Sequence, residues 1–324
     1  MAPAYDPSTE LSDLRGRVAL VTGANSGIGL YILLHLARQG AKCYLAARSQ
    51  AKFETALGRL REEGLGDDEG DGEVVWLDLD LCDPVGVRKS ALKFEEMEDR
   101  LDILVNNAAR ILGPYASTQE GLSESFLVNH ISPFLFTTLL LPLMEKTATQ
   151  PNSDVRIVNV TSVAHRWVPN PRYDTLEAIN SDFSHTWKPK TNAYGYTKLA
   201  NILFTRELQR RLATRNVPIT VLAVHPGNVM SEGNVSLFTS LPFGRLVNFG
   251  FSLMFINPKD GGYTPAWAAA SKKVYDGRED GKWKGAYIVP YGVVEEPSED
   301  AKREDLATEL WETTERVLKQ FGWA

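Results

Sequence analysis

The sequence predicts an α/β protein built on one doubly wound parallel sheet flanked by helices. Three observations carry that expectation. Apolar runs of strand length alternate with longer helix-length segments along most of the chain, the pattern of repeated βαβ units. The first run, Val18-Ala19-Leu20-Val21, stops at a glycine-rich turn, Thr22-Gly23-Ala24-Asn25-Ser26-Gly27-Ile28-Gly29, and a second apolar segment follows at once. Amides and hydroxyls gather where apolar runs end, at Asn106-Asn107 and Thr161-Ser162. In doubly wound sheets those strand ends border the ligand crevice.

The glycine-rich turn reads as a pyrophosphate cradle. Residues 30–37 continue as a helix, closed by Gly40. Gly23 permits the sharp turn, Gly27 lets backbone approach a phosphate, and Gly29 lets the helix lie close to the strand. Free N–H groups and the positive end of the helix dipole then face the anion. The expected contacts are Gly23, Asn25, Ser26, Gly27, Ile28 and Gly29.

The second strand, 41–47, ends in Arg48-Ser49. An NAD-binding unit would place an acid there for the ribose 2′-hydroxyl, whereas a guanidinium suits a 2′-phosphate. NADP(H) is therefore the expected cofactor; a solvated arginine at a helix start is the plainer alternative. Residues 51–63 read as a helix, 64–72 as an acidic, glycine-rich surface loop, and 74–77 as the third strand, closed by Asp78-Leu79. Asp83-Pro84 opens a helix to about residue 98. Strand 101–105, a long helix over 120–146 holding Pro133 and Pro142, and strand 155–160 follow. Tyr194 opens a helix to about residue 214, with Lys198 on the same face four residues later; Tyr196 points elsewhere. Strands 217–224 and 285–289 and helices 261–271 and 305–321 complete the pattern.

Composition sets outer limits. Hydrophobic residues make up 43% of the 324 and charged residues 23%, enough for a large core with an ordinary surface. A net charge of −6 argues against nucleic acid as partner. Cys43 and Cys82 fall in strand or strand-end context, so neither a disulfide framework nor a metal site is expected. Residues 1–17 lack an apolar core, and nowhere do about 18 uninterrupted apolar residues occur, so a cytoplasmic protein is expected. No repeat, linker or second composition regime appears, so residues 1–324 read as one domain with 1–16 as an extension. The five histidines lack metal-ligand spacing; His225, before Pro226, reads as structural.

The Thr-Gly-x-x-x-Gly-x-Gly turn, Asn106-Asn107-Ala108-Ala109, Ser162 and the Tyr194/Lys198 pair together resemble the short-chain dehydrogenase/reductase family. The runs 158–165, 194–211 and Ala223-Val224-His225-Pro226-Gly227 resemble its retinol-dehydrogenase-like branch. The family's fold is a Rossmann-type sheet, and this branch acts on lipophilic alcohols and carbonyls. By that resemblance Asp78, with Leu79, meets the adenine, although a strand-end cap is an equal reading. Asn106, Asn107 and Ala108 lie along the cofactor, and Ala109 replaces the family's glycine. Asn129 is the helix asparagine that supports a water chain to the lysine. Pro226, Gly227 and Val229 wrap the nicotinamide, with Ser231 near its carboxamide.

The chemistry expected is hydride transfer between the nicotinamide and an alcohol or carbonyl carbon. Tyr194 serves as general acid and base, Lys198 lowers the phenol pKa, and Ser162 hydrogen-bonds the substrate oxygen. Residues 237–256 hold five phenylalanines and are expected to form an apolar substrate lid inserted after the nicotinamide segment. A membrane-surface helix, giving peripheral membrane contact, and a homodimer contact are its rivals. A non-redox protein that binds NADP structurally, as a sensor, or for a non-redox step is the alternative to the oxidoreductase.

Overall fold

The structure, a computed structural model, describes residues 7–111, 113–229, 256–278 and 280–323. Eight strands form one sheet: β1 (Val18–Thr22), β2 (Lys42–Ala47), β3 (Val74–Asp78), β4 (Ile103–Asn106), β5 (Val155–Val160), β6 (Ile219–Val224), β7 (Tyr287–Val289) and β8 (Val293–Val294). Their order is β3-β2-β1-β4-β5-β6-β7-β8. All neighbours run parallel except β7 and β8. The order reverses between β1 and β4, which opens a crevice at their carboxyl ends. The two-residue antiparallel edge strand β8 was not expected; both its valines are exposed.

The helices are α1 (Pro7–Glu10), α2 (Gly27–Arg38), α3 (Gln50–Glu62), α4 (Pro84–Met97), α5 (Glu124–Phe126), α6 (Ser132–Ala148), α7 (Leu176–Ile179), α8 (Pro189–Thr214), α9 (Pro258–Ala270), α10 (Lys272–Asp276), α11 (Glu299–Lys302) and α12 (Glu304–Gln320). Strand side chains alternate between two cores. Val18 and Leu20 join the core shared with α4, α6, α8 and α12, while Ala19 and Val21 join that of α2 and α9. The second core is thin because α9 brings small residues to α2. A Cβ at Gly262 would lie 2.7 Å from the Tyr31 Cβ.

The helix expected over 120–146 is interrupted. It starts at α5, widens into a π turn over Leu127–Ile131, and resumes as α6. The Ser132 N–H reaches the Leu127 carbonyl, five residues back. Pro133 has no N–H to offer Asn129, so an ordinary helical ladder cannot run through this point. The whole stretch, Glu124–Ala148, is long and apolar enough to cross a membrane by composition, yet 78% of its apolar window is buried inside the fold. The expected insertion 237–256 lies outside the described residues apart from Ile256.

In the π turn, His130 is buried between α6 and α12, with Nε2 2.9 Å from Thr314 Oγ1. The Thr314 hydroxyl proton is given to the Leu310 carbonyl, so His130 donates through Nε2. Burial lowers its pKa to about 3. The unfolded chain takes up a proton near pH ~6.5 and the folded chain does not, so stability is lost as pH falls through that window, at about 1.4 kcal/mol per pH unit. His130→Gln, which keeps a donor for Thr314, should flatten the acid side of the urea stability profile by that slope. Identical acid slopes in the two proteins would refute the assignment.

Candidate active site

The crevice has a volume of about 600 Å³ and runs from the β1 turn to the start of α8. Gly23, Asn25, Ser26, Gly27, Ile28 and Gly29 line one end. Gly23 and Gly27 have φ of +64° and +56°, a region that favours glycine. Gly29 serves close approach instead, since a Cβ there would lie 2.4 Å from Asn107 Nδ2. Ser26, the residue before α2, has extended backbone and makes no side-chain cap. The first N–H groups of α2 are thus not capped by its hydroxyl and face the crevice, as anion binding requires.

Thr22, which the sequence reading gave no role of its own, ties this turn to β4. Its Oγ1 accepts the N–H groups of Asn107 and Ala108 at 3.0 and 3.1 Å. Asn107 Nδ2 donates to the Thr22 carbonyl at 2.9 Å. Asn107 and Ala108 line the crevice as expected, whereas Asn106 does not. Strand alternation turns Asn106 to the other face, where its Nδ2 donates to Thr137 Oγ1 and to Asn159 Oδ1, both at 2.9 Å. Asn106 is a core residue.

At the far end of β2, Arg48 lines the crevice together with Lys52, in the first turn of α3. The second cation was missed because a lysine on an exposed helix face carries no motif. Asp78 does not line the crevice. It ends β3 opposite Ala47 with an exposed side chain, while Leu79, Asp80, Leu81 and Cys82 form the lining there. The acid at this wall is Asp80, two positions later, because the chain turns into the crevice only after the strand has ended.

Tyr194 and Lys198 both line the crevice from α8. Lys198 Nζ stands 5.6 Å from the Tyr194 ring centroid and donates to the Val160 carbonyl at 2.9 Å. Burial lowers its pKa to about 8. Burial also pushes Tyr194 up to about 12, with a Ser162 hydrogen bond pulling the other way. The expected lowering of the phenol pKa by Lys198 is therefore overturned for the bare protein. Desolvation of the buried phenol is the larger cause, and the Ser162 hydrogen bond offsets only part of it. Ser162 is not part of the crevice wall but meets it through Tyr194; its Oγ accepts the Ala164 N–H at 3.2 Å. Tyr196 is a core residue, donating to the Arg172 and Ala178 carbonyls and stacked on Tyr173 at 4.3 Å.

Asn129 lies in the π turn, buried beneath the wall. Its Oδ1 accepts the Arg110 N–H at 2.7 Å, and its Nδ2 donates to the Arg110 carbonyl and to Thr197 Oγ1, both at 3.0 Å. It thus joins the β4 loop to the helix that carries Tyr194. Pro226 lines the crevice; Gly227 and Val229 stand behind it, and Val229 bridges to Ile256. Ser231 lies outside the described residues.

Tyr194 is set against Ser162 by its neighbour. A Cβ on Gly195 would lie 2.4 Å from the Ala164 carbonyl oxygen, on the 3₁₀ turn Val163–Trp167 that Ser162 opens. Gly195→Ala must push the two apart. We expect a loss of about 1–3 kcal/mol in urea unfolding, the usual scale for overpacking. Unchanged stability would show that the turn can yield.

The comparisons with known proteins follow the same outline. The sequence profile of the short chain dehydrogenase family matches residues 17–173. A short-chain dehydrogenase/reductase of Armillaria gallica is 64% identical over 314 residues, covering 97% of this chain and 96% of its own. Retinol dehydrogenase 14 of Mus musculus is 36% identical over 315 residues, covering 94% and 86%. Among solved structures, the RhlG/NADP active-site complex of Pseudomonas aeruginosa superposes with a TM-score of 0.63 at 25% identity, covering 86% of this chain and 96% of that one. The chain therefore belongs to the short-chain dehydrogenase/reductase family of oxidoreductases, in its retinol-dehydrogenase-like branch.

Proposed function

We propose that this chain is an NADP(H)-dependent dehydrogenase/reductase that interconverts a lipophilic primary or secondary alcohol with its aldehyde or ketone. One observation carries the reading: Tyr194 and Lys198 stand side by side in the crevice that begins at the glycine turn, with Ser162 at the phenol. The residues fit a dinucleotide. Gly29 has no room for a Cβ, the N-terminus of α2 is open, and Arg48 with Lys52 supplies two cations where β2 ends. Two cations and no acid from that strand suit a 2′-phosphate. When bound, the nicotinamide supplies or accepts the hydride.

The chain's own residues then handle the proton. In reduction Tyr194 donates its phenol proton to the oxygen that becomes the alcohol; in oxidation its phenolate takes that proton back. Ser162 donates a hydrogen bond to the same oxygen while charge develops on it. Lys198, nearly charged at neutral pH with a pKa of about 8, stabilises the phenolate in a wall where water screens little. Asn129 keeps the β4 loop and α8 in register. The lipophilic substrate class is supported by the retinol dehydrogenase relative, and NADP by the cofactor named in the Pseudomonas complex.

Tyr194→Phe should lower kcat with NADPH and a lipophilic ketone by at least the ~10²-fold typical of general acid–base steps, with cofactor affinity unchanged. Near-normal turnover would remove Tyr194 from the chemistry. In fluorescence titration Arg48→Ala should weaken NADPH by about 1.5–3 kcal/mol, the scale of a charge-assisted hydrogen bond, and leave NADH almost unaffected. Adding Lys52→Ala should weaken NADPH further. Equal losses for both cofactors would mean that these cations do not read the 2′-phosphate.

A further inference from the structure

His165, to which the sequence assigned no role, sits on the Val163–Trp167 turn directly behind Ser162. Its ring is 1% exposed, and its two nitrogens have different partners. Nε2 receives the Ser298 backbone N–H at 3.1 Å. That group can only donate, so the ring proton is on Nδ1. Nδ1–H is then the donor to the Ser162 carbonyl at 2.7 Å, which also accepts the His165 backbone N–H at 3.2 Å. Beside it, Arg166 pairs with Glu295 at 2.7 Å and donates to the Glu296 carbonyl at 2.6 Å. The Tyr287 ring meets the imidazole edge-on at 5.1 Å. Two neighbouring side chains of the turn therefore grip the segment 295–298.

We propose that His165 is a positioning residue for Ser162, tying the Ser162 carbonyl to the Ser298 amide so that the Ser162 hydroxyl stays at the Tyr194 phenol. Ser162 Oγ already accepts the Ala164 N–H, which leaves its own proton to be donated into the crevice. The direction of that proton depends on the Ser162 peptide plane, and the imidazole fixes that plane from behind. Misplacement of a reacting group by ~1 Å costs on the order of 10²-fold in rate. The inference rests on the proposed role of Ser162 at the substrate oxygen.

The test compares wild type with His165→Leu, His165→Asn and Ser298→Pro for NADPH-dependent reduction of a lipophilic ketone, with NADPH affinity and melting measured alongside. His165→Leu removes the donor and should lower kcat at least ~10-fold with NADPH affinity within about twofold, since the change falls on Ser162 and not on the cradle. His165→Asn carries its amide N–H where Nδ1–H stood and should recover most of the loss. Ser298→Pro removes the N–H that fixes the tautomer, together with a hydroxyl that takes no part in the tie, and φ at Ser298 is −62°, a value proline adopts. It should lower kcat about threefold or more in a folded protein, and carries the test if His165→Leu does not fold. A His165→Asn enzyme as impaired as His165→Leu, or Ser298→Pro turning over like wild type, would overturn the proposal. Wild type that binds NADPH yet reduces no carbonyl would overturn the proposed function itself.

Discussion

The crevice depends on one hydroxyl. Thr22 closes β1, and its Oγ1 takes the N–H groups of two successive residues beyond β4. This happens where the strand order reverses and neighbouring chains would otherwise diverge. Asn107 completes the joint by donating to the Thr22 carbonyl and filling the space that Gly29 leaves by having no Cβ. The glycine turn, the first turn of α2 and the β4 loop are therefore one packed unit, and the anion-facing N–H groups are held before any ligand arrives. Preorganisation of this kind is where binding sites gain most, because little conformational freedom remains to be lost.

The wall that carries Tyr194 and Lys198 is built at a cost. Lys198 is 1% exposed and accompanied by one carbonyl, so its charged form is disfavoured and its pKa falls to about 8. The unfolded chain, with a lysine near ~10.4, binds more protons between these values, so the lysine's destabilising effect, on the order of 3 kcal/mol, is fully present below pH ~8 and fades as pH rises toward ~10. The same low dielectric strengthens the pull of this ammonium on any negative charge that forms at Tyr194. A residue that weakens the fold near neutrality is thus the one that makes the wall respond to charge.

Much of this was legible in the sequence. The glycine turn, β5 and the Tyr194/Lys198 pair each follow from short-range rules: positive φ at Gly23, an apolar run buried on both faces, and a four-residue helical spacing. What failed did so where geometry depends on contacts distant in sequence. Asn106 was assigned to the crevice with Asn107, but alternate residues of a strand face opposite ways, and its register partner Asn159 waits on the core side. Asp78 was placed at the adenine by resemblance alone, and Asp80 was not considered; the end of β3 was read to within a residue, but not how the chain turns into the crevice beyond it. At Asn129 the sequence reading gave a long helix with kinks or breaks at its prolines and no π turn, since Pro133 reveals a missing donor and not how the ladder re-forms. Lys52 carried no signal, and Thr22 was noticed as part of a motif without its bonds.

The polar groups of the wall come from separate parts of the chain, yet their placement converges on the end of β5. The Val160 carbonyl accepts from both Lys198 Nζ and Asn201 Nδ2, at 2.9 and 3.2 Å. Thr161 Oγ1 donates to the Lys198 carbonyl at 2.7 Å. These bonds fix the rotation of α8 about its axis, and with it the direction of the Tyr194 phenol four residues earlier. Gly195 then brings α8 against the turn that Ser162 opens. A central strand, buried on both faces and paired on both edges, is the least mobile element of such a sheet. Hanging tyrosine, lysine and serine from its last residues gives the three groups a common frame, so that motion elsewhere in α8 or the loops changes their mutual geometry little.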